Sequence, residues 1–380
     1  MNELRAKIEA EIRERGPIPF SRYMELCLYD PKLGYYSRHA AQFGKAGDFY
    51  TSSDVHAVFG RLLARQFDEM WRALGSPSTI VLRELGPGRG LFAQDVLDWS
   101  GKKFPDFFHA VRYELIEQSP ALRARMEQTL ERHIQSGKAV ATSPLLAAKD
   151  AARNGAPEKP PTITFANEFF DALPVEVVSD RGSLRIDARD GRFLETWVLA
   201  SAEELEFLDR YSVHPEEGER VEVPLRSQVE MSAASGFERG FMIVIDYGYT
   251  REEQLAGRHR GTLKAIRQHS VSTNAYEAPG EQDITADVNF TALSAVAEQQ
   301  GFRAQKLITQ SQFLMGIGEA NEFADAFEDC RLPQERAKVA LQLKHLVTPA
   351  GMGESFHVLI TSKGLSAEKM GLAGLNFGRR

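Results

Sequence analysis

The stretch TIVLRELGPGRGLFAQDVLDWS, residues 79–100, decides the fold. Its opening TIVLREL is short, apolar and partly β-branched, which predicts a buried strand, and LFAQDVLDWS has the apolar spacing of a helix. Between them the chain must turn within Glu84 to Gly90. Gly86, Gly88 and Gly90 permit a tight turn and leave room for a ligand at the backbone where a Cβ would otherwise stand. A dinucleotide fingerprint needs a third glycine three positions after the second, and that position is Leu91, which disfavours a nicotinamide oxidoreductase. A strand-to-helix turn with no ligand remains open on this stretch alone.

Outward from this turn the pattern repeats. AVRYELIE predicts a second strand and SPALRARMEQTLERH a second helix, and such alternation argues for βαβ units and a parallel sheet. The second strand ends at Glu117, followed by Gln118 and Ser119. An acid there can accept both hydroxyls of a ribose, or else cap the next helix. TITFA (162–166) and FMIVIDYG (241–248) read as further core strands, and SFHVLITS as the last. VEVVSDRGSLRIDARDGRFLETWV alternates apolar and polar with glycine turns, predicting a small antiparallel insertion from Pro174. Upstream, 2–15, Phe20 to Leu28 and Val55 to Leu74 have helical spacing, and 250–289 reads as an irregular excursion.

The 380 residues carry 46 basic and 53 acidic side chains, a net charge of −7. Such a chain lacks the overall attraction that dominates nucleic-acid affinity, so nucleic acid is not expected as a partner. Cys27 and Cys330 are too few for a disulfide framework or a cysteine-built zinc site. No apolar run approaches the roughly 18 residues of a spanning helix, and no targeting segment is visible at the N-terminus. The expectation is a cytoplasmic protein without membrane insertion or metal.

A third element, NEFFDALPVE, begins at Asn167 after the strand TITFA. Pro174 keeps any helical turn here short; within such a turn Glu168 and Asp171, at i and i+3, would share one face. Two carboxylates can clamp a guanidinium, or simply complement a helix dipole.

Glu84, Gly86, Gly88 and Gly90 resemble the first motif of class I methyltransferases, in which an acid engages the cationic end of S-adenosylmethionine. Together, PFSRYMELCLYDPKLGYY (19–36), GDFYTSSDVHAVFG (47–60), ELGPGRG, NEFFDALPV and GEQDITADVNF (280–290) resemble the MidA-like family. Ser53-Asp54 departs from the Pro-Glu common in that family, which weakens any role given to that loop. The resemblance implies an α/β fold, a seven-stranded Rossmann-like core with an N-terminal helical extension and insertions. The implied boundaries are 1–75 for the extension and lid; 76–173, 238–250 and 286–363 for the core; and 174–237 and 251–285 for insertions, with 311–352 a helical insertion forming a substrate cap.

It further implies transfer of a methyl group from S-adenosylmethionine to arginine in a partner protein. Glu168 and Asp171 would hold the acceptor, and Asp48, Thr51, Glu84, Gly86, Gly88, Gly90, Glu117, Gln118 and Asn167 the cofactor. Asp246-Tyr247-Gly248, Arg267, His269, Asp283, Thr285 and Asp287 would border the active face, and there is room for a homodimer. A small-molecule methyltransferase, or an assembly factor that keeps the fold without turnover, stays open as an alternative.

Overall fold

The computed structural model describes residues 2–38, 57–143, 159–267, 270–272, 274–366 and 371–378. The chain forms two compact units, each built from segments far apart in sequence.

The first unit, from about residue 57 to 168 with 235–246 and 297 onwards, is organised by a sheet. The main path of the sheet is made of β1 (Ile80–Leu85), β2 (Val111–Ile116), β3 (Ala139–Thr142), β4 (Thr162–Asn167), β5 (Gly240–Tyr249), β6 (Arg303–Ala304) and β7 (Phe356–Lys363), with Ile308–Thr309 pairing at the side of β7. They lie in the order β6-β7-β5-β4-β1-β2-β3. β3, β2, β1, β4 and β5 run parallel, and β6 is antiparallel to β7. In β4 only the terminal Asn167 escapes full burial, as expected of a strand covered on both faces. The helices Ala57–Ala73 and Leu91–Lys103 cover one side, where Phe59, Phe67, Phe92 and Phe165 pack ring against ring. Gly60 permits this approach, because a Cβ there would lie 2.6 Å from the Cβ of Asp95. The helices Gln310–Glu319, Ala324–Phe327 and Pro333–Val347 pack against Ala57–Ala73, with Arg61 paired to Asp329 at 2.7 Å and Arg65 to Asp325.

The second unit combines 2–38, 169–234 and 247–296. Its antiparallel sheet contains Glu176–Ser179, Gly182–Arg189, Arg192–Val198 and Arg220–Val223, with Ile18–Pro19 pairing to Arg185 and Ile186. The helices Glu3–Arg15 and Phe20–Tyr29 lie on this sheet. Leu4, Ile8, Ile12, Phe20, Tyr23 and Met24 share one core with Val177, Leu184, Ile186 and Ile284. The N-terminal helices are therefore part of the same body as the insertion, not a separate extension. The region expected to be irregular also contains order. Lys264–Arg267 pairs antiparallel with Ser270–Ser272 and Asp283–Thr285, while Gly248 and Tyr249 pair with Val288 and Asn289.

Candidate active site

In the sheet unit, β1 and β2 run in register from Ile80 opposite Val111 to Leu85 opposite Ile116. Both then end in the glycine turn and the acid. Gly86, Gly88 and Gly90 have φ of 64°, 54° and 76°, the left-handed region that favours glycine. At Gly90 a Cβ would meet Met126 Cγ at 2.9 Å, so this glycine serves packing as well as the turn. A Cβ on Gly88 would meet nothing within 4 Å among the described residues. Gly88 is thus required by its φ and borders open space, as a ligand cradle demands.

Glu117 is fastened beside that cradle. Its Oε2 accepts from the Gly88 N–H at 3.2 Å and its Oε1 from the Ser119 N–H at 2.8 Å, while Arg123 donates to its main-chain oxygen at 2.7 Å. Capping of the following helix, Pro120–Thr129, falls to Ser119, whose hydroxyl accepts from the Leu122 N–H. Burial raises the Glu117 carboxyl to about 7, against the backbone donors that favour its charge. Glu84 is 5% exposed, accepts a hydrogen bond from the Tyr113 hydroxyl at 2.9 Å, and is raised to about 8, chiefly by burial. Tyr113 escaped the sequence reading because an aromatic at an inward strand position looks like ordinary core.

Asn167 closes β4 opposite Ile245 of β5. Its amide nitrogen donates to Glu168 Oε1 at 3.2 Å, and its buried amide oxygen has no hydrogen-bond partner among the described residues. Glu168 has φ 49°, and its N–H donates to the Ile245 carbonyl at 3.0 Å. A non-glycine residue held left-handed costs on the order of 1 kcal/mol or more, and such strain clusters at functional sites. The short helical turn that would have put Glu168 and Asp171 on one face does not form. Glu168 is a bend and Asp171-Ala172 a turn, so helical i and i+3 geometry does not apply to Glu168 and Asp171. The open φ of Glu168 and the approach to Pro174 exclude a helix between them.

In the second unit, Asp171 lies in a hydroxyl cluster. Its Oδ2 accepts from Tyr247 and, at 2.9 Å, from Thr285, and its main-chain oxygen accepts from the Ala286 N–H at 3.0 Å. Burial raises this carboxyl and the two hydroxyls oppose the shift. Tyr36 donates to Asp283 at 3.1 Å, so the strand Asp283–Thr285 is tied to the N-terminal segment. Asp287 accepts from Lys264 at 3.1 Å and lies 3.0 Å from His259 Nδ1, and Arg267 pairs with Glu281 at 2.9 Å. Gln118 is exposed. Asp48, Phe49, Thr51, Ser53, Asp54 and His269 lie outside the described residues. Among those residues no cluster of histidine, cysteine or carboxylate could hold a metal, and no helix is long and apolar enough to cross a membrane.

A parallel sheet whose first strand ends in an open glycine cradle, and whose second ends in an acid bonded to that cradle, defines a class I methyltransferase. The model of a family of S-adenosyl-L-methionine-dependent methyltransferases matches residues 62–308. The chain belongs to this family, the MidA-like methyltransferases, and its cofactor is S-adenosylmethionine.

Among its relatives, the mitochondrial protein arginine methyltransferase NDUFAF7 homolog of Drosophila melanogaster is 31% identical over 96% of this chain and 86% of its own. The mitochondrial protein arginine methyltransferase NDUFAF7 of Homo sapiens is 28% identical over 91% of this chain and 80% of its own. A superfamily member from Burkholderia thailandensis, crystallised with S-adenosyl-homocysteine, superposes with a TM-score of 0.81 at 28% identity, covering 98% of this chain and 94% of that one. The expectation of a cytoplasmic protein does not stand, because these curated relatives are mitochondrial proteins.

Proposed function

We propose that the chain transfers a methyl group from S-adenosylmethionine to a guanidinium nitrogen of arginine in a partner protein. The observation that carries the arginine acceptor is the likeness, over nearly the whole chain, to relatives named as protein arginine methyltransferases. Glu117 receives the ribose hydroxyls, the open face of Gly88 admits the amino-acid portion, and Glu84 faces its positive charge. The amide oxygen of Asn167, without a hydrogen-bond partner among the described residues, is an acceptor offered to the ligand. The cofactor supplies an electrophilic methyl on a sulfonium. Glu168, fixed in a strained backbone by the Ile245 carbonyl, orients the acceptor nitrogen. The S–CH3 bond breaks as the N–CH3 bond forms. The arginine loses its proton at or after the transition state, since its pKa lies above about 12. S-adenosylhomocysteine, methylarginine and a proton result.

Methyl-tritiated S-adenosylmethionine mixed with the total protein of the cell that makes this chain tests the reading. Label should be recovered as methylarginine after acid hydrolysis. Glu168→Gln should cut it about 100-fold through misplacement of the acceptor, while cofactor affinity stays within about threefold. Label confined to small molecules would overturn the protein acceptor. Full activity in Glu168→Gln would remove that residue from the mechanism.

A further inference from the structure

Two buried carboxyls stand at the ends of neighbouring strands with no cation bonded to either side chain among the described residues. Glu84 lies opposite Leu115 in the β1–β2 register, and Glu117 follows one residue beyond the end of β2. The partner of Glu84 is a phenol, Tyr113, and the partners of Glu117 are two backbone N–H groups. Arg123 reaches only the Glu117 main chain, and Arg83, which alternates to the other face of β1, is paired with Glu114 at 2.7 Å. Among the described residues, Tyr113 and Glu117 are the ionisable groups that bear on Glu84, and neither supplies positive charge.

We infer that the Tyr113–Glu84 pair is a charge gauge that lets the enzyme tell S-adenosylmethionine from its product, with Tyr113 the positioning residue that sets when Glu84 ionises. The two ligands share adenine, ribose and the amino-acid tail, and they differ by a methyl group and one positive charge at sulfur. Hydrogen bonds to the shared ribose, through Glu117, contribute alike to both and cancel in the ratio of affinities, while the charge of Glu117, whose carboxyl is raised to about 7, adds a preference that sets in at lower pH than that of Glu84. A carboxylate in a poorly solvated site attracts the extra charge wherever along the ligand it lies, because attraction falls only slowly with distance at low dielectric. A neutral Glu84 does not. Burial holds Glu84 protonated up to about pH 8 before ligand arrives, so S-adenosylmethionine, with one positive charge more than the product, expels that proton to a greater extent than the product does. The phenol donates to the charged form and lowers the cost of that expulsion. Its removal moves the whole transition to higher pH.

The inference rests on the cofactor site proposed above, and calorimetric titration of the intact chain separates the two. Affinities for S-adenosylmethionine and S-adenosylhomocysteine would be measured from pH 6 to 9, in pairs of buffers with different ionisation heats so that released protons are counted. In the unaltered protein the preference for S-adenosylmethionine should grow about tenfold across that range, the effect of one pKa unit of differential interaction. More protons should leave on binding S-adenosylmethionine than on binding the product. In Glu84→Gln the part of the rise near pH 8 should be lost, leaving only the part near pH 7 that Glu117 supplies, and in Tyr113→Phe the rise near pH 8 should move to higher pH with the fold unchanged by circular dichroism. Binding with a pH-independent preference, or a Tyr113→Phe profile superimposable on the original, overturns this inference alone. Failure of both ligands to bind a folded protein overturns it together with the proposed site.

Discussion

Tyr113 reaches Glu84, and Gly88 reaches Glu117, across 29 residues of sequence, whereas Tyr23 reaches Ala275 across 252. The sheet unit places its cofactor groups by repeating a local strand-turn-helix pattern, and each repeat carries its own signal. The second unit is stitched from three distant segments whose side chains acquire meaning only when they meet. Ile18 pairs with Ile186, Asn2 donates to Pro279, and Tyr29 donates to Ala172. Local construction leaves a readable motif, while non-local construction leaves a readable face with no indication of what covers it.

That contrast predicts where damage will show. Phe20→Ala, in the shared core of the stitched unit, should lower stability by about 3–5 kcal/mol, measured as a shifted denaturant midpoint. A loss under 1 kcal/mol would mean, by the same scale, that the N-terminal helices are not integral to that core. The next effect belongs to the sheet unit and to pH. Glu84 and Glu117 have folded pKa values of about 8 and about 7, above the ordinary glutamate range near 4.5, so the folded state holds protons that the unfolded state has released. Their favourable contribution is complete at low pH and is lost as pH rises from about 4.5 through 8. Unfolding of the ligand-free chain at pH 5 and pH 8 should show a decrease of several kcal/mol, and Glu84→Gln should remove only the share of Glu84, the rest staying with Glu117.

Gly88→Val sharpens the comparison further. Its φ of 54° strains any side chain by about 1–2 kcal/mol although no atom is struck, and the valine fills the open face of the cradle. Calorimetry should show S-adenosylmethionine affinity down at least about tenfold. Unchanged affinity would place the ligand elsewhere. The smallest effect is on the surface of the stitched unit. Arg22 pairs with Glu11 through two nitrogens at 3.0 and 3.1 Å, yet the guanidinium side chain keeps 39% of its surface in water, so Arg22→Ala should cost about 1 kcal/mol or less by the same denaturation assay.

The sheet was legible because its elements are short-range. The strand TIVLREL, the glycines behind it and the acid ending YELIE stand within one βαβ unit, and the structure brings Gly88 and Glu117 into a hydrogen bond. The part of the site hardest to read was the NEFFDALPV turn. A helical turn was the natural reading of its spacing, but β4 continues its pairing to Asn167, and the bond from the Glu168 N–H to Ile245 prolongs the contact with β5. That bond draws Glu168 into the left-handed region. Propensity yields there to a partner almost eighty residues away.

By itself the sequence determined the fold class, the cofactor class and the order of the motifs, since these rest on glycine conformation, hydrophobic period and short spacings that any chain must obey locally. Tertiary structure decided that the N-terminal helices and the two insertions form one body, that Tyr113 donates to Glu84, and that Tyr247 and Thr285 gather on Asp171. Those outcomes depend on burial and on pairings between remote segments, and the free energy of such pairings exists only once the chain has closed on itself.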